Sequence, residues 1–300
     1  MKSNSQDVVN LVNFYKRQGH NILETESAYW CELHPFCYQN IPFHVAVNPA
    51  PEELNRLFAK KLVVLLRYNS VEDTDTVVGF NWICTDRDYG LHSLERKIRN
   101  RVKRGLTLTE VRPIDFRYLA REGPTIINEI ARRQGRNPDF PNRRSWENYC
   151  LSAAATPNFD AYGAFLGGRL IAFLVGVRIN ECYFSLTQAS HTEYLSYCPN
   201  NALMYTVVTE KFQDPGIEVF SYGLASVENL ESLDRFKIGM NFKQEKINFK
   251  VVFNPYLGWL KNHNVVASVH RISNRFPKNN FIRKADALLR QINQDKAEAG

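Results

Sequence analysis

The chain has no apolar run long enough to cross a membrane as a helix. The longest runs, 62–66 and 170–177, fall far short of the ~20 residues a spanning helix needs. The first residues, Met1 to Asp7, lack the apolar core of a signal peptide. Cysteine is sparse: six residues, at 31, 37, 84, 150, 182 and 198, are scattered through 300. That spacing makes no disulfide framework and points to reduced thiols. Together these absences predict a soluble, cytoplasmic protein. Cys31, His34 and Cys37 lack a second ligand pair at finger-like spacing, so no metal is expected. No short-period repeat is visible, which excludes a solenoid.

What is present suits a packed globular protein. Hydrophobic residues make up 44% and aromatics 12%, ample for a core, and the length favours two domains. The net charge of +7 is compatible with an anionic partner (nucleic acid, a phosphorylated ligand, a membrane surface) and equally with solubility alone.

In the first third, 28–33 and 43–47 read as extended. Pro51 opens a helix with Leu54, Leu57 and Phe58 on its apolar face. Residues 61–68 and 77–84 read as strands. Ser93 is placed as the cap of a helix in which Leu94, Ile98 and Val102 form one stripe. Arg96, Lys97, Arg99, Arg101, Lys103 and Arg104 surround that stripe, and Gly105 closes the helix. Residues 106–111 read as extended.

Residues 116–121 read as a short helix, reset at Gly123-Pro124. Ser145 is placed as a cap for a helix carrying Trp146 and Tyr149. Then comes a meander: strand 161–166, the hairpin signal Gly167-Gly168, strand 169–179, a turn at Asn180-Glu181, and strand 182–189. Pro199 opens a helix with Leu203, Val207, Val208 and Phe212 on one face. Residues 246–253 read as the last strand, followed by helical tails at about 255–272 and 281–295. Strands alternating with helices, with an antiparallel meander among them, imply an α+β or mixed α/β fold.

The segment 220–242 is the most informative. It reads as a strand breaking at Tyr222-Gly223, then a helix that ends with Phe236 and Lys237 just before Gly239. The Gly167-Gly168 hairpin, Ser190-His191 to Tyr194, Pro199-Asn200-Asn201 and Phe236-Lys237 follow one another in an order that resembles the GNAT-like acyltransferases related to the FemAB peptidyl-transferase family. The likeness is strongest over about 91–245.

The resemblance implies two tandem GNAT-like halves, each a mostly antiparallel sheet flanked by helices. It places a degenerate N-terminal half at 1–112, the acyltransferase half at 113–254 and a C-terminal helical extension at 255–300. It implies transfer of an acyl or aminoacyl group from an activated thioester or ester to an amine on a small molecule or peptide. Acyl-CoA or aminoacyl-tRNA would serve as co-substrate, with no tightly bound cofactor. The alternatives are an aminoacyl-tRNA-dependent peptidyl transferase and a non-catalytic RNA-binding protein on the same fold. In the Fem-type branch the Phe-Lys pair lies at the transferase site, which maps here to Phe236 and Lys237. One departure bears on the donor. The loop 190–201 carries no glycine, where CoA-binding GNAT enzymes have a glycine-containing pyrophosphate loop.

Acyl transfer to an amine needs a cation or N–H donor at the developing oxyanion and a route for the amine proton. Lys237 is the candidate cation, although a lysine late in a helix also suits the macrodipole. His191 is the candidate base, since imidazole titrates near neutrality. Tyr222 is placed at the acceptor pocket. For an anionic donor, the helix start at Pro199, Asn200 and Asn201 offers backbone N–H groups, with Tyr205 one turn in. An anionic-ligand patch is assigned to Arg96, Lys97, Arg99, Arg101, Arg136 and Arg144. Each of these cations also suits a solvated surface.

Overall fold

The structure is a computed structural model that describes residues 5–60, 63–72, 74, 76–133, 140, 142–225, 231–256, 263–275 and 286. Its elements are α1 (Gln6–Arg17), β1 (Ile22–Glu24), β2 (Tyr29–His34), β3 (Cys37–Ile41), α2 (Pro51–Lys60), β4 (Leu65–Asn69), β5 (Thr76–Cys84), α3 (Arg96–Leu108), β6 (Glu110–Pro113), α4 (Phe116–Arg133), α5 (Arg143–Ala154), β7 (Phe159–Leu166), β8 (Arg169–Ile179), β9 (Cys182–Ser190), α6 (Pro199–Lys211), β10 (Val219–Leu224), α7 (Glu231–Gly239), β11 (Lys243–Phe253) and α8 (His263–Arg275). The fold is mixed α/β, as the element order implies.

Contacts divide the chain into two compact units. Unit 1 takes Met1–Phe80, Ala225–Asn229 and Lys246–Gly300, and unit 2 takes Asn81–Leu224 and Leu230–Glu245. These groups follow spatial contacts, whereas the boundaries at 112/113 and 254/255 follow the order of elements.

In unit 1, β1, β2, β3, β4 and the 246–253 part of β11 run side by side, with β3 and β4 parallel and the other pairs antiparallel. One face of this sheet is the core. Trp30, Tyr38, Leu66 and Tyr68 pack with Leu57 and Phe58 of α2, as the apolar stripe of that helix requires. The helix α1, which the sequence reading passed over, buries Val8, Leu11, Val12 and Phe14, and Ser5 caps it at the Val8 N–H. The strand expected at 43–47 is replaced by β3 at Cys37–Ile41, and Val47 makes only an isolated bridge to Ser70.

In unit 2, β10, β9, β8, β7 and β6 lie in that order, with the 81–84 part of β5 beside β10. The hairpin joining β7 and β8 turns at Gly167 (φ 55°) and Gly168 (φ 81°). Both carry the positive φ that a two-residue hairpin of right-handed twist demands.

Period-2 alternation assigns the helices to faces. Trp146 of α5 packs on Phe173 (5.4 Å between ring centroids), and Tyr149 bonds Thr187 at 3.1 Å. Lys211 of α6 bonds Tyr162 at 2.9 Å. Phe173 and Tyr162 lie on opposite faces, because Tyr162 pairs with Leu174. The helices α4 and α5 therefore cover one face, and α6, with α3 packed against it, covers the other.

Four expectations about helix limits are corrected. Ser93 closes a 3₁₀ turn and bonds Asp86 at 2.7 Å, so α3 starts later, with Glu95 as its N-cap. Gly105 does not end α3, which runs on to Leu108. A Cβ there would stand 2.7 Å from the Cys198 carbonyl oxygen and 2.8 Å from the Ala202 methyl, so the glycine sets the α3–α6 distance. Gly123-Pro124 does not split α4. A proline inside a helix costs a hydrogen bond and roughly 3 kcal/mol. The packing of Leu119, Ala120, Gly123 and Ile126, sealed by the Trp146 indole bonded to the Leu119 carbonyl, offsets that loss. The cap of α5 is Asn142, with Ser145 as its capping-box partner. Of the two helical tails, the first corresponds to α8, and nearly all of 281–295 lies outside the described residues.

At the far end of α6, Lys211 donates to Asp160 (2.5 Å) and to Tyr162. The Tyr162 hydroxyl bonds Glu210, and the Tyr183 hydroxyl bonds Asp160. Burial pushes both phenols above their ordinary range. Gly176 makes room for this group, since a Cβ there would lie 2.0 Å from the Tyr183 oxygen.

Candidate active site

The parallel strands β9 and β10 pair for only three residues, Val219↔Cys182 to Ser221↔Phe184. Beyond that, β9 follows β8 as far as Ser190, while β10 follows β5 through Gly223↔Trp82 and Leu224↔Asn81. A bulge between Ser221 and Gly223 (φ 97°) marks the parting. It is held by Ser221 Oγ donating to Asn81 Oδ1 at 2.8 Å. Tyr222, the bulged residue, spans the opening and donates to Gln188 Oε1 at 2.8 Å. Burial raises the pKa of the Tyr222 phenol, so it stays a neutral donor at physiological pH.

Lys237, near the end of α7, reaches the same place. Its side chain is 2% exposed. Nζ lies 5.1 Å from the Trp82 ring, 5.3 Å from the Tyr222 ring and 3.5 Å from Asp234 Oδ1, one turn back on the same helix. Desolvation lowers the lysine pKa below its ordinary 10.5, and Asp234 works against that shift. Among the described residues, cation–π contacts and one partly exposed carboxylate are thin compensation for a buried ammonium. Trp82 is also buried, and its indole Nε1–H has no acceptor among the described residues. Phe236 borders the group, with its ring centroid 6.2 Å from that of Tyr222.

The start of α6 joins this constellation through side chains. Asn200 donates to Ser190 Oγ at 3.0 Å and accepts from Gln188 Nε2 at 3.5 Å. Asn201 is buried and turns to the Met240 sulfur at 3.4 Å. Pro199 is buried at the first helical position. The free backbone donors expected here are fewer than the sequence suggests, because the N–H groups of Asn201 and Ala202 both bond to the Cys198 carbonyl. Tyr205 packs on Tyr89 at 5.9 Å between centroids, and no hydrogen bond or ring contact joins it to Tyr222 or Gln188 among the described residues.

His191 is a correction. Ser190 faces α6, where Asn200 meets it. The next residue therefore turns to the other face, and the imidazole, 4% exposed, lies against α4. Its Nδ1 stands 2.9 Å from Glu129 Oε2, at an angle short of a well-formed hydrogen bond. Burial alone would raise the Glu129 carboxyl. His191, the Thr192 N–H and Arg132 outweigh that and hold it below the ordinary range. An open groove of about 660 Å³ lies on this side, lined by Glu129, Arg132, Arg133, Thr192 and Glu193. The histidine thus faces away from the Lys237 side of the sheet, and a base role for it there is withdrawn.

The basic residues also separate. Arg96, Lys97 and Arg101 are exposed on α3, whereas Arg99 is half-buried and bonds the Leu94 carbonyl at 3.0 Å. Arg144 sits on α5, on the opposite face of the sheet, and Arg136 lies outside the described residues. The single patch therefore reduces to the outer face of α3. Beside it, Gly239 of α7 packs near Ile98, where a Cβ would come within 2.9 Å.

Sequence reasoning missed Trp82 and Gln188. Each sits mid-strand, with no motif around it, and acquires meaning only from its cross-strand neighbours. The thiols are unpaired. Burial raises Cys31 and Cys150 to about 12, and Cys37 and Cys84 to about 11, so they are poor nucleophiles. Among the described residues no group of three His, Cys, Asp or Glu side chains gathers to hold a metal ion, and no helix is long and apolar enough to cross a membrane.

Comparison with known proteins bears on this arrangement. Residues 92–237 match the family model described as an acetyltransferase (GNAT) domain. No curated protein matches in sequence. Among solved structures, FemX is similar at a TM-score of 0.60 and 12% identity, covering 86% of this chain and 94% of its own. L-PGS from Bacillus licheniformis is similar at 0.54 and 12%, covering 81% and 87%. A conserved protein of unknown function from Bacteroides thetaiotaomicron is similar at 0.54 and 12%, covering 83% and 92%.

Proposed function

From the premise that this chain has a GNAT-like, FemAB-related fold with a GNAT domain over 92–237, we propose that it is an N-acyltransferase working at the parting of β9 and β10. The observation that carries this reading is Lys237, a lysine buried against Tyr222 and Trp82 where two parallel strands separate. A buried cation with weak compensation is costly to the fold, and an oxyanion would satisfy it.

In the proposed step, the lone pair of an acceptor amine attacks the donor carbonyl carbon. A C–N bond forms, and negative charge collects on the carbonyl oxygen. Lys237, still protonated, stabilises that oxygen, and the orphan Trp82 N–H supplies a second donor. The intermediate collapses with loss of the donor's thiolate or alkoxide, and the amine proton leaves through water, because His191 lies against α4 on the other face of the sheet. Tyr222 and Gln188 fix the edge of the site, and Asn200, Ser190 and Phe236 flank it. Tandem GNAT-like halves at 1–112 and 113–254, with an extension at 255–300, accompany this reading.

Acyl-CoA is the donor class that the GNAT domain favours. The glycine-free loop 190–201 and the occupied N–H groups of Asn201 and Ala202 speak for a pyrophosphate held differently from the usual loop. An aminoacyl-tRNA donor has one point in its favour, the exposed basic face of α3. RNA binding without catalysis would use that face too. Mass spectrometry of the purified protein after incubation with acyl-CoA pools, and separately with charged tRNA, tests all three. Acyl-CoA turnover supports the leading reading, and turnover of charged tRNA alone moves the donor to tRNA. Turnover of neither, with salt-sensitive RNA retention, refutes the enzyme.

A further inference from the structure

Unit 1 also holds a cation taken out of water. Arg67 lies at the centre of β4, between Gln39 of β3 and Val251 of β11. Alternation turns it away from the α2 core, to which Leu66 and Tyr68 belong. A guanidinium stays charged and carries five N–H donors, so burial without acceptors is costly.

The acceptors here are few. Nη1 reaches Gln39 Oε1 at 3.5 Å, the plane rests 3.8 Å over the Phe249 ring, and Nε is buried with no acceptor among the described residues. No carboxylate pairs with Arg67 among those residues. Burial pulls its pKa down to about 10, a large displacement for an arginine. The floor under it is rigid. Phe249 is 1% exposed, and Gly79 lies so close that a Cβ there would meet its ring at 2.7 Å. The residue as a whole is half-buried and not sealed from solvent.

We propose that Arg67, held flat on Phe249 and flanked by Gln39, is a binding site for a carboxylate group. A planar carboxylate matches the fork of a guanidinium in geometry and in charge. The surrounding Val251, Phe249 and Leu65 offer nothing to a second negative charge, which disfavours a phosphate dianion. The Gln39 amide is placed to share the ligand's oxygen. This site lies within unit 1 alone and is independent of the role of Lys237.

The test is a titration of the full-length protein, labelled with 15N at arginine, with sodium acetate against sodium chloride at matched ionic strength. The Arg67 Nε–H signal is assigned as the one lost in Arg67→Lys. It is expected to shift saturably at millimolar acetate and not with chloride. Gln39→Ala should weaken half-saturation by up to about tenfold, the worth of one hydrogen bond. If Arg67→Lys does not fold, the Gln39→Ala perturbation identifies the signal instead. A linear response, or an equal one with chloride, would mean that Arg67 is merely hydrated and would overturn the site. A stronger response to phosphate than to acetate would overturn the carboxylate assignment.

Discussion

Two lysines of unit 2 are withdrawn from solvent, and they are withdrawn differently. Lys211 is ringed by partners: Asp160 at 2.5 Å, Tyr162 at 2.9 Å and Glu210 at 4.0 Å. Lys237 is more deeply buried and, among the described residues, has only Asp234 at 3.5 Å and two aromatic faces beyond 5 Å. The first arrangement is what a fold does with a charge it uses for itself. The second leaves electrostatic capacity unspent, and such capacity is what a transition state can draw on.

Removing each charge should break the likeness between the two. Lys237→Met is expected to lower turnover by about 10²–10³, the effect of deleting one oxyanion donor. Thermal melting should be unchanged or raised, because an undercompensated buried charge is lost. Steady-state kinetics and a melt on the same sample check this, and a variant that melts early while retaining turnover would reverse the assignment. Lys211→Met should do the opposite. It strands Asp160 and should cost roughly 1.5–3 kcal/mol of stability, the range for charged hydrogen bonds, since the pair is partly exposed. Urea unfolding would measure that loss, and turnover at low temperature should persist.

Tyr222→Phe sharpens the comparison at smaller scale. It removes the bond to Gln188 while keeping the ring over Lys237, for about 0.5–1.5 kcal/mol and a modest change in KM. The pH profile tests Lys237 directly. The lowered pKa of Lys237 means the protonated form is lost before 10.5 as pH rises, so turnover should show an alkaline limb below that value. Asp234→Asn withdraws the charge that opposes the shift and should move the limb to still lower pH. Over the same window the unfolded chain keeps a proton the folded chain has released. The stability contributed by this group therefore rises with pH, and Lys237→Met should flatten that slope.

Much of this architecture was legible in the sequence, and the parts that were not share a cause. Gly167-Gly168, the Pro199 helix and the break at Tyr222-Gly223 are local signals, and the chain obeys them. Gly105 and Pro124 are local signals too, yet helices run through both. Packing against Cys198 and Ala202 in one case, and under Trp146 in the other, outweighs the local preference. Lys237 could be singled out because it lies beside Phe236 in a recognisable segment. Trp82 and Gln188 come to this place from strands far apart in sequence, where nothing in the chain announces them, whereas Asn200 stands out at the Pro199 helix start. His191 was misplaced by a single step of alternation: one residue earlier, the same strand faces the helix α6.

Gly176 carries a consequence for how this sequence can change over generations. Its bare Cα is the space in which the Tyr183 hydroxyl sits, 2.0 Å from where a methyl group would be. Neither position is free to drift alone. A side chain at 176 demands a shorter residue at 183, and that loss unties Asp160 from its second donor. In an alignment of descendants, glycine and tyrosine at these two positions should be inherited as a pair and lost as a pair.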